Sequence, residues 1–382
     1  MVYSEICSGS HSAVIFTRKE GYFMNRFLSG KSTAAFFLAA VMAVSASGCT
    51  GGAKPEKTTA GTASVTDTTS AASETTAETT AAEKTDIRIS ALKGPTGIGL
   101  VSLMEAQESG TAQNNYTFTL SGTPDDIVSQ LSSGEADIAA LPTNLAAVLY
   151  QKTNKSISVI AVNTLGVLYI LEKGDTVHSI ADLAGREIMA TGQGAVPEYA
   201  LNDLLAKANL STPPTITYKT EHSELATLAA AGEASDLIML PEPFVTTVLS
   251  KNPDYRIALD LTEEWQKAYG EESGSELAMG CLVVSVKFAS EHPEALETFL
   301  QEYKASADSV NADPTAAGQL VAKYGIMADA ALAAKAIPTC HIVMIRGAEM
   351  KAVLEPFYAA LFSANPKSVG GTLPDADFYW IG

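Results

Sequence analysis

The chain has 382 residues, 46% of them hydrophobic and 18% charged, and its 43 acidic against 25 basic residues give a net charge of -18. That length is enough for two or three domains with real cores, and the composition excludes disorder of the whole. The negative balance, with no Lys/Arg cluster interleaved with aromatics, excludes nucleic-acid binding. The four cysteines, Cys7, Cys49, Cys281 and Cys340, form no C-x-x-C pair and no metal-ligand spacing with the five histidines.

From Met24, the residues Asn25, Arg26 and Lys31 precede an apolar run, Ala34 to Val44, and then small residues up to Cys49. This pattern predicts a secretion signal, because the run is too short for a membrane span of about 20 residues. Ala46, Ser47, Gly48, Cys49 resembles a bacterial lipobox, which makes Cys49 the expected site of lipidation. Residues 1–48 are thus read as leader and signal. Met24 is the expected true start, since Lys19, Glu20, Gly21 can be encoded as a ribosome-binding sequence just upstream. Residues 49–85 are rich in Thr, Ala, Ser, Glu and Gly. Such a tract cannot bury enough surface to fold and is expected to be a disordered tether with a reach of roughly 30 to 35 Å.

The remainder is written twice. Alternating Ile87, Ile89 and Ala91 predict a strand, LKGPTGIG a glycine loop, and Leu100, Leu103 and Met104 a helix. A strand at Tyr116 to Leu120, a helix opened by Pro124 and Asp125, and a strand from Asp137 to Leu141 follow, ending in Pro-Thr-Asn. From Arg186 the same order recurs: strand, TGQGAVP loop, helix, the strand TITYK, a helix, and an Asp-led strand ending in LPEP. Glycine loop and Asp-led strand are about 43 positions apart in one half and about 44 in the other, which marks an internal duplication. Alternating strand and helix predict parallel sheets with helices on both faces, and ligands bind beyond the carboxyl ends of such strands. The apolar segments Ile157 to Leu171 and Ala278 to Phe288 read as two crossovers, which make a hinge. The expected limits are 86–163 plus 285–382 for lobe 1 and 164–284 for lobe 2.

KGPTGIG (Lys93 to Gly99), GEADIAALP (Gly134 to Pro142), LPEPF (Leu240 to Phe244) and GGTLPDADFYW (Gly370 to Trp380) resemble the extracytoplasmic solute-binding proteins of ABC importers. The resemblance is to the family of sulfonate, taurine and nitrate receptors and thiamine-pyrimidine-precursor binders. It implies an α/β, two-lobed periplasmic-binding-protein-like fold, with two doubly wound sheets joined by a two-crossover hinge. It also implies capture of a small molecule, an ABC permease and ATPase as partners, a monomer lipid-anchored on the outer side of a bacterial cell membrane, no cofactor and no catalysis.

The candidate ligand loops are Pro95, Thr96 and Gly97 with Thr143 and Asn144 in one half, and Gly192, Gln193 and Gly194 with Glu242 and Pro243 in the other. Small residues at a strand-to-helix turn let backbone N–H groups approach a ligand, and the helix end adds partial positive charge. Glu242 reads equally as a helix-starting carboxylate or as a ligand contact favouring an amine, an aminopyrimidine or a zwitterion. Tyr199, Phe244 and Trp265 could stack on a planar ligand or pack within their own lobe, and Trp380 is expected to pin the C-terminal tail. Cys281 and Cys340 are expected as buried free thiols, with a disulfide between them as the alternative. No G-x-S-x-G, H-E-x-x-H, full P-loop or G-x-G-x-x-G is present. The alternatives are a pyrimidine-precursor or menaquinone-pathway enzyme on the same fold, or a lipoprotein presenting its ligand to a sensor.

Overall fold

Both halves of the duplication become α/β units in the computed structural model, which describes residues 84–270 and 275–381, all within one unit, Glu78–Gly382. The leader, the lipobox at Cys49 and the tether lie outside the described residues. The first half runs β1 (Asp86–Leu92), α1 (Pro95–Ile98), α2 (Val101–Glu108), β2 (Asn115–Ser121), α3 (Pro124–Ser133), β3 (Ile138–Pro142), α4 (Thr143–Lys152) and β4 (Ile157–Thr164). The chain then enters the second sheet as β5 (Leu168–Lys173), and the repeat follows as β6 (Glu187–Thr191), α5 (Val196–Ala208), β7 (Thr215–Lys219), α6 (His222–Ala231), β8 (Leu237–Pro241), α7 (Phe244–Lys251), β9 (Tyr255–Asp260) and α8 (Leu261–Tyr269). It returns as β10 (Gly280–Ser285), followed by α9 (Val286–Glu291), α10 (Pro293–Ala312), α11 (Pro314–Lys323), α12 (Ala330–Ala336), β11 (Ile342–Ile345) and α13 (Gly347–Ala364).

One sheet has the order β11-β4-β10-β3-β1-β2 and the other β7-β6-β8-β5-β9. The duplication is visible as parallel triplets, β2-β1-β3 and β7-β6-β8. Each crossover delivers an antiparallel strand beside the triplet, β10 against β3 and β5 against β8. The duplicated units are parallel as expected, and the strands that the crossovers add make each whole sheet mixed. Strands buried on both faces, as β4 is along its whole length, read as continuous apolar runs that carry no signal of direction.

The first crossover is short. Ile157 to Leu171 divides into β4 and β5 at residues 165–167, where Gly166 packs so closely that a Cβ there would lie 2.1 Å from Thr262 Oγ1. The second boundary needs correction: β10 lies in the first sheet between β3 and β4, so residues 280–284, assigned by sequence to the second lobe, sit in the first. The C-terminal helix α13 also reaches across, with the Phe357 ring 5.7 Å from that of Trp265 on α8.

Ends of helices follow local chemistry. Asp260, Ser285, Asp313 and Asp329 cap their helices with side-chain oxygens that accept first-turn N–H bonds, and Gly134 and Gly232 close α3 and α6 in the left-handed region. Cys281 and Cys340 are free and buried, and burial pushes both thiols up. Trp380 donates its backbone N–H to Val159 O at 2.9 Å, tying the tail to the edge of β4 in the first sheet. Among the described residues, no helix is long and apolar enough to cross a membrane.

Candidate functional site

The parallel strands β1, β3, β6, β7 and β8 all end at one cavity of about 400 Å³ between the two sheets, lined by Leu92, Pro142, Gly192, Lys219 and Pro241 at or just beyond those ends. This is the crevice that open α/β sheets offer to ligands, and the volume falls in the range of small-molecule sites. The walls are mainly apolar, from Leu145, Val167, Met279 and several prolines. The polar side chains among the lining are Thr96, Thr123, Thr164, Gln193, Tyr218, Lys219, Thr220, His222 and, at the exposed edge, Asp125.

Of the residues expected from sequence, Pro95 and Thr96 line the cavity on one side, and Gly192, Gln193 and Gly194 on the other. Gly97 stands behind them, where a Cβ would lie 2.6 Å from the backbone oxygen of Leu92, so its small size serves the turn itself. Gly192 has φ of 81° and abuts Pro197, and the loop it opens leads directly into α5. Gly194 donates its N–H to Glu198 Oε2 at 2.5 Å, a carboxylate at the helix start where the dipole favours it.

Thr143 and Asn144 are fully buried and do not line the cavity. Thr143 N–H donates to Met279 O at 3.2 Å, and Asn144 Nδ2 donates to Gly194 O at 3.1 Å and to Ser368 O at 3.2 Å. Asn144 therefore touches the opposite loop and not the cavity.

Glu242 and Pro243 are also set back from the cavity, which Pro241 alone of that loop lines. The Glu242 carboxylate accepts from Thr246 N–H and Thr246 Oγ1, both at 2.9 Å, and from Thr339 Oγ1 at 3.2 Å. Of its two expected readings, these bonds support the helix-starting carboxylate, a first-turn anchor for α7, because the neighbouring donors satisfy both oxygens. Burial raises its pKa, partly offset by those hydrogen bonds. Tyr199 packs against the core from α5, and Trp265, with no exposed surface, donates Nε1–H to Ser275 Oγ at 3.1 Å and packs on Tyr269. Phe244 supports the site from behind, its ring 5.4 Å from that of His222.

The residues that the sequence reading passed over come from the loops after β2 and β7. Those loops bring Gly122, Thr123, Pro124 and Asp125 from one half, and Tyr218, Lys219, Thr220 and His222 from the other. They occupy equivalent positions in the duplicated unit, so the same strand-end rule applied to β2 and β7 would have found them. His222 Nδ1 pairs with Thr191 Oγ1 at 2.7 Å, and burial lowers its pKa to about 4, which keeps the imidazole neutral. Lys219 Nζ is 3.1 Å from Glu224 Oε1. The hydroxyls of Thr96 and Tyr218 are buried without a hydrogen-bond partner. Among the described residues, no cluster of three His, Cys, Asp or Glu is placed to hold a metal ion.

Similar folds are found among solved structures. An ABC transporter protein from Parabacteroides distasonis matches with 26% identity and a TM-score of 0.63, covering 78% of this chain and 99% of that one. The alkanesulfonate-binding protein SsuA from Xanthomonas axonopodis pv. citri, bound to MOPS, matches with 17% identity and a TM-score of 0.58 over 77% of this chain and 96% of that one. The periplasmic aliphatic sulphonate binding protein SsuA from Escherichia coli matches with 15% identity and a TM-score of 0.60 over 77% and 92%. These likenesses establish the two-lobed periplasmic-binding-protein-like fold. No curated protein matches the chain. The family described as NMT1/THI5 like matches residues 117–317, more than half of the chain and reaching into both sheets, and the chain belongs to that family.

Proposed function

We propose that this protein is the extracytoplasmic solute-binding component of an ABC importer, capturing a small molecule between its lobes by hinge closure. The observation that carries the reading is the interlobe cavity itself: it gathers strand ends from both halves of the duplication and holds two buried hydroxyls, on Thr96 in one lobe and Tyr218 in the other, without partners. Buried polar groups are nearly always paired, so an unpaired one on each wall of a cleft marks a place for a ligand. A solute bonded to both lobes stabilises the closed arrangement through contacts that separation of the lobes would break.

In this reading Pro95, Thr96, Gly192, Gln193 and Gly194 contact the solute directly, whereas Gly97, Thr143, Asn144, Tyr199, Glu242 and Pro243 shape the loops and the closure. Lipidation at Cys49 and the tether after it hold the monomeric body beside the membrane, where a permease and ATPase receive the ligand. The solutes to be tested are sulfonates, taurine, nitrate and heterocyclic precursors, the first because two proteins of similar fold are sulfonate-binding proteins. A thermal-shift screen tests the reading, since a ligand at 100 times its dissociation constant adds about 2.7 kcal/mol to the folded state. Recovery of the bound solute unchanged is expected. Its conversion to a product would place the protein among enzymes instead.

A further inference from the structure

We propose that the cleft selects a solute carrying no net negative charge, held by the hydroxyls of Thr96 and Tyr218 and the imidazole of His222. This rests on the reading of the cavity as a ligand cleft and, of the solutes named above, sets aside simple sulfonates and nitrate in favour of zwitterionic taurine and uncharged heterocycles.

The charges around the cavity decide the matter. Among the described residues only two charged side chains line it, Asp125 and Lys219. The Lys219 ammonium is already paired with Glu224 at 3.1 Å. Asp125 is an exposed carboxylate in the first turn of α3, and a second carboxylate, Glu221, lies close by, within 3.2 Å of where a Cβ on the lining residue Gly122 would be. An entering anion therefore meets two carboxylates and a cation that has another partner. Removing an anion from water without a compensating cation is costly, and the like charges at the rim add to that cost.

The neutral groups suit a different guest. Thr96 is 5% exposed with its Oγ1 unpartnered, Tyr218 OH is unpartnered, and His222 keeps one ring nitrogen after pairing with Thr191. Hydroxyls donate or accept as the ligand requires, and burial keeps His222 neutral down to about pH 4. Leu92, Val167 and Met279 supply apolar wall for the rest of the molecule. The guest is a compact organic solute with hydrogen-bonding groups and an apolar body.

Pairs of probes equal in shape and different in charge test this: benzenesulfonamide against benzenesulfonate, and nicotinamide against nicotinate, each at up to 10 mM with saturation-transfer NMR on the whole folded protein. The uncharged member of each pair is expected to bind at least tenfold more tightly. Equal or tighter binding of the anions would overturn the inference and leave the ligand cleft standing. No signal from any probe would remove the cleft, and with it the reading beneath. Thr96→Val and Tyr218→Phe, which keep shape, should each weaken the uncharged probe at least fivefold, with Thr96→Ser restoring it. Unchanged binding in both variants would overturn the assignment of the residues.

Discussion

Asn144 Nδ2 and the backbone carbonyl of Gly194 meet at 3.1 Å, joining the start of α4 in one lobe to the glycine loop of the other. The same amide donates to Ser368 O at 3.2 Å, and the side chain has no exposed surface. One residue thus ties the loop that lines the cavity to the other lobe. Asn144→Asp exchanges a donor for a charge facing two carbonyl oxygens. We expect a stability loss of at least about 2 kcal/mol in urea unfolding and an increased radius of gyration by small-angle scattering, as the lobes separate. An unchanged radius would show that the bond does not hold the lobes together.

A second contact crosses between the lobes at Thr339, whose hydroxyl donates to Glu242 at 3.2 Å, near the buried thiol of Cys340. Burial raises the Glu242 pKa above its ordinary value of 4.5. The unfolded chain therefore releases this proton first as pH rises. The contribution to stability is fully present below about pH 4.5 and is lost as pH climbs through the folded pKa. Glu242→Gln should melt with the parent at pH 4 and above it at pH 8. A constant difference across that range would mean that the carboxylate is not the source.

His222 gives the opposite slope. Its pKa falls from 6.5 to about 4 on burial, so the unfolded chain takes up a proton before the folded one does. Stability is full above about pH 6.5 and declines as pH falls toward 4, by up to about 3 kcal/mol from this group. His222→Asn, which can keep a bond to Thr191, should flatten melting temperature against pH between 4 and 6.5. A parallel curve in the variant would place the titration elsewhere.

How far the fold could be read in advance depended on the kind of signal. The duplicated order was legible because glycine loops and Asp-led strands recur at matched spacing, and the strand TITYK is found at Thr215–Lys219 as expected. The antiparallel insertions β5 and β10 were not legible, because a strand buried on both faces looks alike in either direction. Within the site, small residues betrayed the loops after β1 and β6. Glu242 stayed open between two readings because a carboxylate between two prolines has the same sequence whether it faces a cleft or Thr246 and Thr339. Gly97 misled, since the contact that demands its small size is with Leu92 O five residues earlier. Tyr218 and His222 were missed because nothing in TYKTEHSE looks like a binding loop until β7 is seen to end at the cavity.

The second lobe has its own anchor in Glu172, a carboxylate with no exposed surface at the end of β5. Burial would raise its pKa, but donation from Thr176 Oγ1 at 2.5 Å, from the N–H groups of Thr176 and Val177, and from Arg256 Nη2 at 2.6 Å more than offsets this and holds it below the usual range. The depressed pKa means that the unfolded chain binds this proton first as pH falls. Its stabilisation is present above about pH 4.5 and disappears as pH drops through the folded pKa. Glu172→Ala leaves two backbone N–H groups and the Arg256 guanidinium, which also contacts exposed Asp175, without their shared acceptor. Breaking a buried pair from one side costs about 3–5 kcal/mol, far more than an exposed ion pair contributes. We expect a loss of that order in urea unfolding at pH 7 that shrinks toward acid, and weakened hydrogen-exchange protection concentrated in β5, β8 and β9. Loss spread evenly over both sheets would show that the two lobes unfold as one cooperative unit and that Glu172 is not a local anchor.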